Sequence, residues 1–242
     1  MPRKDCRWPA IICNIITCTL TTWPVDFRAQ PVKSHSGLAN RPATQDGCLI
    51  VEAAFEVDED GDFGRLILLA AATGARYSQL TALKVADVQV AQGRIMVPGS
   101  KKGRAARAKA PVAVPLAADT ILRLQPALEG RDELEPLLLR WAYRNVGPFK
   151  WEKDSRRPWG PAYEIDKPWS ATIAKAEVSP DTVMYALRHS SIVRGLRAGL
   201  PVRHVAALHD TSSDMIEAHY SAHIIDATEE LARRAALSLS AA

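Results

Sequence analysis

Cysteine is scarce and confined: the chain has four, Cys6, Cys13, Cys18 and Cys48, and none beyond position 48. Their spacings match neither a zinc site nor a Cys-x-x-Cys redox pair. The cysteine-free remainder excludes a disulfide framework there and suits a reducing cytosol. No apolar run reaches the about 20 residues that a membrane-spanning helix needs. One run, over positions 9–20, follows Arg3, Lys4 and Arg7 in the manner of a signal peptide. Asn14 and several threonines break it, and no small-residue cleavage site follows, so no export signal is read. Internal repeats and low-complexity tracts are missing as well. Acidic residues are absent from positions 88–118, where Arg94, Lys101, Lys102, Arg104, Arg107 and Lys109 all fall. Charge of one sign gathered this way attracts phosphate groups whatever the total, here only +4. By itself it fits a solvated basic loop equally well.

What is present is a core. With 242 residues, 47% of them hydrophobic, the chain suits one catalytic-size domain and a small appendage. Residues 1–47 form a poorly defined N-terminal segment, and the pattern becomes orderly from about Gly47. Asp58-Glu59-Asp60-Gly61-Asp62 lacks the further ligands and terminal glutamate of a calcium loop. Its simpler role is to put negative charge at the start of a helix over 63–72. That helix is apolar nearly all round and therefore central. Gly74 ends it, and a second helix covers 78–83. Residues 93–97 and 111–116 read as strands, with prolines at their ends that mark an edge sheet. Asp119 is read as the cap of a helix to about 128. Positions 131–167 are rich in Trp, Pro and Arg. They are read as irregular loops packed on the core, with an aromatic platform for nucleic acid as the other reading. A helix over 161–177 follows.

Ser179-Pro180-Asp181 is a helix-start signal, predicting a helix from 181 to Gly199. Val183, Met184, Leu187, Ile192, Val193 and Leu196 fall on more than one side of it, so it is buried and Arg188 needs partners within the fold. Pro201 starts a short helix, another runs from about 212 through Tyr220, and 223–237 is amphipathic. In the last, Glu229–Arg233 and Glu230–Arg234 have favourable i,i+4 spacing.

Three ordered stretches carry a family resemblance: Thr73-Gly74-Ala75-Arg76-Tyr77-Ser78-Gln79-Leu80, Ser100-Lys101-Lys102-Gly103, and 181–220 with Arg188 and Tyr220. They resemble box I, the hairpin lysine and box II of the tyrosine recombinases, the phage-integrase superfamily. The resemblance implies a mainly α fold with a small antiparallel β-sheet, the catalytic domain occupying 48–242. It implies a site-specific recombinase or integrase that cleaves and rejoins DNA through a 3′-phosphotyrosyl intermediate, without metal or cofactor. Arg76 and Arg188 would stabilise the phosphorane charge, Lys101 would be the general acid with Lys102 in reserve, and Tyr220 the nucleophile. Lys102, Arg104, Arg107 and Lys109 would bind DNA. The partners implied are double-stranded DNA and further copies of the chain, a tetramer at synapsis. The setting implied is the bacterial cytoplasm, associated with the nucleoid and a mobile element.

Three positions depart from the family pattern. Tyr185 stands first in His-x-x-Arg, Asp210-Thr211 replaces a Gly-His pair, and Gln79 replaces an acidic residue. Hydroxyls at Tyr185 and Thr211 can hydrogen-bond a phosphate but are poor bases near neutrality. His209, and near it in role His189, are the alternative bases. These departures leave a second reading, a weakened or non-catalytic DNA-binding derivative of an integrase. Segment 1–47 is too short for the family's helical clamp domain: either that domain is missing or the recorded start is not the natural one. The C-terminal helix either docks on a neighbouring protomer or covers its own core.

Overall fold

The computed structural model describes residues 44–100 and 109–236, with only some side chains described beyond Tyr220. Helix α1 (Thr44–Val57) packs on α2 (Asp62–Thr73), whose Leu66, Ile67 and Leu69 are wholly enclosed. The acidic turn starts α2 directly: Asp58 accepts the Phe63 N–H at 3.0 Å, supplying an oxygen to one of the unpaired first-turn donors. After α3 (Tyr77–Leu80) come β1 (Val88–Gln89), β2 (Arg94–Val97) and β3 (Val112–Pro115). They form an antiparallel sheet in that order, with Ile95 opposite both Val88 and Val114. Helix α4 (Ala118–Leu124) follows. Its cap position is Ala117, and Asp119 lies inside the first turn, where it accepts the Thr120 N–H at 2.8 Å.

The stretch expected to be irregular is a β-ribbon, β4 (Leu139–Gly147) with β5 (Lys150–Pro158). Its strands show no alternation because most of both faces meets solvent. The tryptophans divide. Trp159 stacks obliquely on Phe63 at 5.8 Å and Trp169 is buried, whereas Trp151 is 61% exposed on the ribbon. Next come α5 (Asp166–Ala176), α6 (Ala186–Arg197), α7 (Val202–Leu208) and α8 (Ser213–Ala235). Helix α6 begins five residues later than its start signal predicts. The Trp169 indole N–H donates to the Thr182 carbonyl at 2.7 Å, the group that would otherwise accept the Ala186 N–H in a longer helix. Ala186 bonds Val183 in a tighter turn instead.

Apolar burial falls into two clusters. The larger joins α1, α2, the three-stranded sheet and α5; the smaller joins Ile192, Val193, Leu196, Val205, Ala206, Ile216 and Tyr220 from α6, α7 and α8. Helix α6 packs against both α2 and α8 and so spans the seam. Among the described residues no helix is long and apolar enough to cross a membrane.

Candidate active site

The C-terminus of α2 leaves carbonyls that its own turns cannot satisfy. Gly74, at φ 63°, closes the helix by donating to Ala70 at 2.9 Å. Two arginines of α6 donate to further carbonyls at this end. Arg194 donates to the Ala71 and Ala72 carbonyls at 3.0 and 2.6 Å, and Arg188 to that of Gly74 at 2.7 Å. Cations at a helix C-terminus are favourable, which offsets part of the cost of burying them. Only glycine fits at 74: a Cβ there would lie 2.7 Å from the His209 ring and 2.8 Å from the Ser191 Cβ. The tight turn delivers Arg76 to the head of α3. Gln79 fixes it there, accepting the Arg76 N–H at 3.0 Å while donating to the Pro98 carbonyl at 2.7 Å at the end of β2.

The two box arginines meet at one loop. Arg188, 4% exposed, donates its second nitrogen to the His209 carbonyl. Arg76 donates to the carbonyl of the next residue, Asp210, at 3.3 Å from both terminal nitrogens. Burial, and then the charge of Arg76, pull the Arg188 guanidinium below its ordinary pKa; Tyr185 and Tyr220 oppose this. From the other side comes Tyr220, 8% exposed, at a kink in α8 where its φ and ψ are −127° and 16°. Its hydroxyl is hydrogen-bonded to Nδ1 of His189, and the two rings are 5.6 Å apart. Tyr185 meets the His189 ring edge-on at 5.0 Å and is itself 47% exposed.

The two histidines differ in their partners. His209 Nδ1 lies 2.8 Å from the Val205 carbonyl and Nε2 lies 3.0 Å from the Ser191 hydroxyl. A carbonyl only accepts, so Nδ1 carries the proton and Nε2 accepts from Ser191. Both nitrogens of this residue, the one expected as a possible substitute base, are thus engaged inside the fold. His189 is the histidine on the tyrosine. Burial first, then the charges of Arg188 and His219, pull it down to about 4. His209 is likewise pulled down to about 4, chiefly by burial, with the Val205 carbonyl opposing.

Comparison with solved structures finds the same architecture. XerA recombinase superposes with a TM-score of 0.55 at 18% identity, covering 86% of this chain and 68% of that one. The Tn1549 transposon integrase in complex with a circular intermediate DNA gives 0.56 at 16%, covering 88% and 68%. The same integrase in complex with transposon right end DNA gives 0.55 at 17%, covering 88% and 69%. The chain has the tyrosine-recombinase fold. No protein-family model and no curated protein matches the sequence.

On this recombinase fold the positions of the family motifs separate into those placed together and those not described. Arg76, Arg188 and Tyr220 are gathered around residues 209–210 and His189, with Tyr185 at the edge. Thr211 is half-buried and donates its N–H to Ala206 at 2.9 Å. Lys101, Lys102, Arg104 and Arg107 lie outside the described residues. Lys109 is described, and its ammonium donates to Asp210 at 2.7 Å. Motif reading names Asp210 only as a departure from the family pattern and gives it no part in the site. It occupies the glycine place of the family's Gly-His pair and has φ 47°, a left-handed conformation that glycine adopts freely and aspartate tolerates. Burial raises its pKa, but hydrogen bonds from Lys109 and Ser100 outweigh this and hold the carboxylate at about 2. A cavity of about 480 Å³ among Asp62, Arg65, Arg131 and Arg156 lies near the other end of α2 and takes no part in the site.

Proposed function

We propose that this protein is a site-specific DNA recombinase that cleaves and rejoins double-stranded DNA through a 3′-phosphotyrosyl intermediate. The observation that carries the reading is the convergence of Arg76 and Arg188 on adjacent carbonyls of one loop, with Tyr220 hydrogen-bonded to the residue that follows Arg188. Arginines remain ionised at neutral pH and donate in a planar fork. They can therefore hold the charge that grows on the two non-bridging oxygens of a five-coordinate phosphorus. In the reaction the Tyr220 oxygen forms a bond to phosphorus and the bond from phosphorus to the 5′-oxygen breaks. His189 Nδ1, unprotonated at neutral pH, accepts the phenolic proton. The leaving 5′-oxygen must gain a proton, and Lys101 is the residue the family resemblance assigns to that task. The reverse attack by a 5′-hydroxyl restores the phosphodiester on the same or another strand. Exchange between duplexes calls for further copies of the chain, a tetramer at synapsis.

The second reading, a DNA-binding derivative with weakened chemistry, draws support from Tyr185 and Thr211 at the family's histidine places. A comparison of Tyr220→Phe with the unchanged chain separates the two. If the reading as an enzyme holds, Tyr220→Phe keeps DNA binding and loses a covalent adduct that the unchanged chain forms. If neither chain forms the adduct while both bind DNA, the binding derivative is the correct reading.

A further inference from the structure

The anion site beside Arg76 already holds an anion from the protein itself. One carboxylate oxygen of Asp210 accepts from Lys109 Nζ at 2.7 Å. The other accepts the Ser100 N–H at 2.8 Å and lies 3.5 Å from Arg76 Nη1. The side chain is only 7% exposed, so these three groups replace most of the water that an isolated carboxylate would hold. A guanidinium, an ammonium and a backbone N–H converging on one two-oxygen anion are also the donors that the non-bridging oxygens of a phosphodiester accept. The loop adopts a left-handed backbone at Asp210, a conformation that side-chain-bearing residues take infrequently and often at functional sites.

We propose that the Asp210 carboxylate is an internal occupant of the phosphate position, a self-ligand that DNA displaces on binding. The proposal rests on the reading of Arg76 and Arg188 as the phosphate-binding pair. In the exchange, Arg76, Lys109 and the Ser100 N–H trade carboxylate oxygens for phosphate oxygens, so each donor keeps an anionic acceptor. Asp210 turns toward solvent, because a carboxylate retained among these donors would repel the incoming phosphate. The free protein thereby keeps its cations paired and holds DNA less tightly than its arginines alone would allow.

The test is the affinity of the full chain for a short duplex of arbitrary sequence, by fluorescence anisotropy at several salt concentrations. Asp210→Asn removes the charge, retains an oxygen for the Ser100 N–H and tolerates the left-handed backbone. Asp181→Asn makes the same net-charge change at an exposed turn. Asp210→Asn is expected to bind about fivefold or more tighter than both the unchanged chain and Asp181→Asn, the factor that one like charge a few ångströms away carries in water-like surroundings. Adding Arg76→Ala should erase that gain. Equal or weaker binding by Asp210→Asn with an unchanged melting temperature overturns the proposal, as does a gain that survives Arg76→Ala. If Asp210→Asn proves unfolded, Asp210→Gly, which suits the same φ, decides by the same readout. A failure of the unchanged chain and every variant to bind duplex at low salt would instead sink the phosphate-binding reading, and the self-ligand with it.

Discussion

His189 and Tyr220 are partners whose chemistry follows from burial. A histidine held at about 4 is neutral at pH 7 and can accept the phenolic proton. His189→Ala is expected to slow formation of the DNA–protein adduct by about a hundredfold, the low end of general-base contributions. Duplex affinity should be largely kept, and a rate within a fewfold of the unchanged chain would remove His189 from the reaction. The same burial sets a pH dependence of stability. His189 and His209 both fall from an ordinary 6.5 to about 4 in the fold. Between those values the unfolded chain binds more protons than the folded one, so stability is lost as pH falls through that window. Asp210, held at about 2 against an ordinary 3.8, loses its contribution only below the window. Urea midpoints should therefore drop from pH 7 to pH 4.5, and His209→Gln should flatten the drop; a midpoint constant across this range contradicts the burial argument. Arg76, Arg188 and Tyr220 could be read from motifs because their spacing is carried within the chain. Asp210 shows in the motif only as a departure from it: its partners Ser100 and Lys109 come from positions about a hundred residues away, and the fold alone brings them to it.

At the scale of elements, the sequence was most readable where one face is buried. The strands Arg94–Val97 and Val112–Pro115 and the helix Asp62–Thr73 lie where apolar patterning puts them. The ribbon β4–β5 lacks an apolar face and so lacks the alternation that marks a strand, and the start of α6 is set by an indole from α5. Neither signal is local. The joint between α2 and α3 is where element geometry becomes site geometry. Gln79 stands where the family has an acidic residue, yet here its amide nitrogen must donate to the Pro98 carbonyl. Gln79→Glu would set a carboxylate oxygen against that carbonyl and is expected to cost about 1–3 kcal/mol. The loss should be larger at pH 8 than at pH 5, where the carboxyl can regain a proton. Unchanged stability at both pH values would show that the bond does not hold the joint. Gly74→Ala combines an unfavourable φ with a contact on the His209 ring. A loss of about 2 kcal/mol or more is expected in chemical denaturation; a neutral result would mean that His209 moves freely, against the role given to it.

The candidate site lies at the seam between two apolar clusters. Tyr220 belongs to the smaller cluster, Arg76 follows the central helix of the larger, and α6 carries Arg188 between them. The kink at Tyr220 is the place in α8 where its backbone leaves helical geometry. The fold class could be read from the sequence because the three motifs appear in order along it, whereas their closure into one site depends on packing between distant segments. The central claim is that Tyr220, supported by Arg76 and Arg188, becomes covalently joined to DNA. The most direct measurement uses a duplex nicked just beyond the scissile phosphate, so that the short 5′-hydroxyl strand diffuses away and the ester accumulates, with a metal chelator present. The account predicts a slowly formed adduct that peptide mapping places on Tyr220, that Tyr220→Phe abolishes, and that Arg188→Ala suppresses by about 10²–10³ while most duplex affinity is retained. An adduct on Tyr185, or none at all under conditions where the duplex is bound, would contradict it.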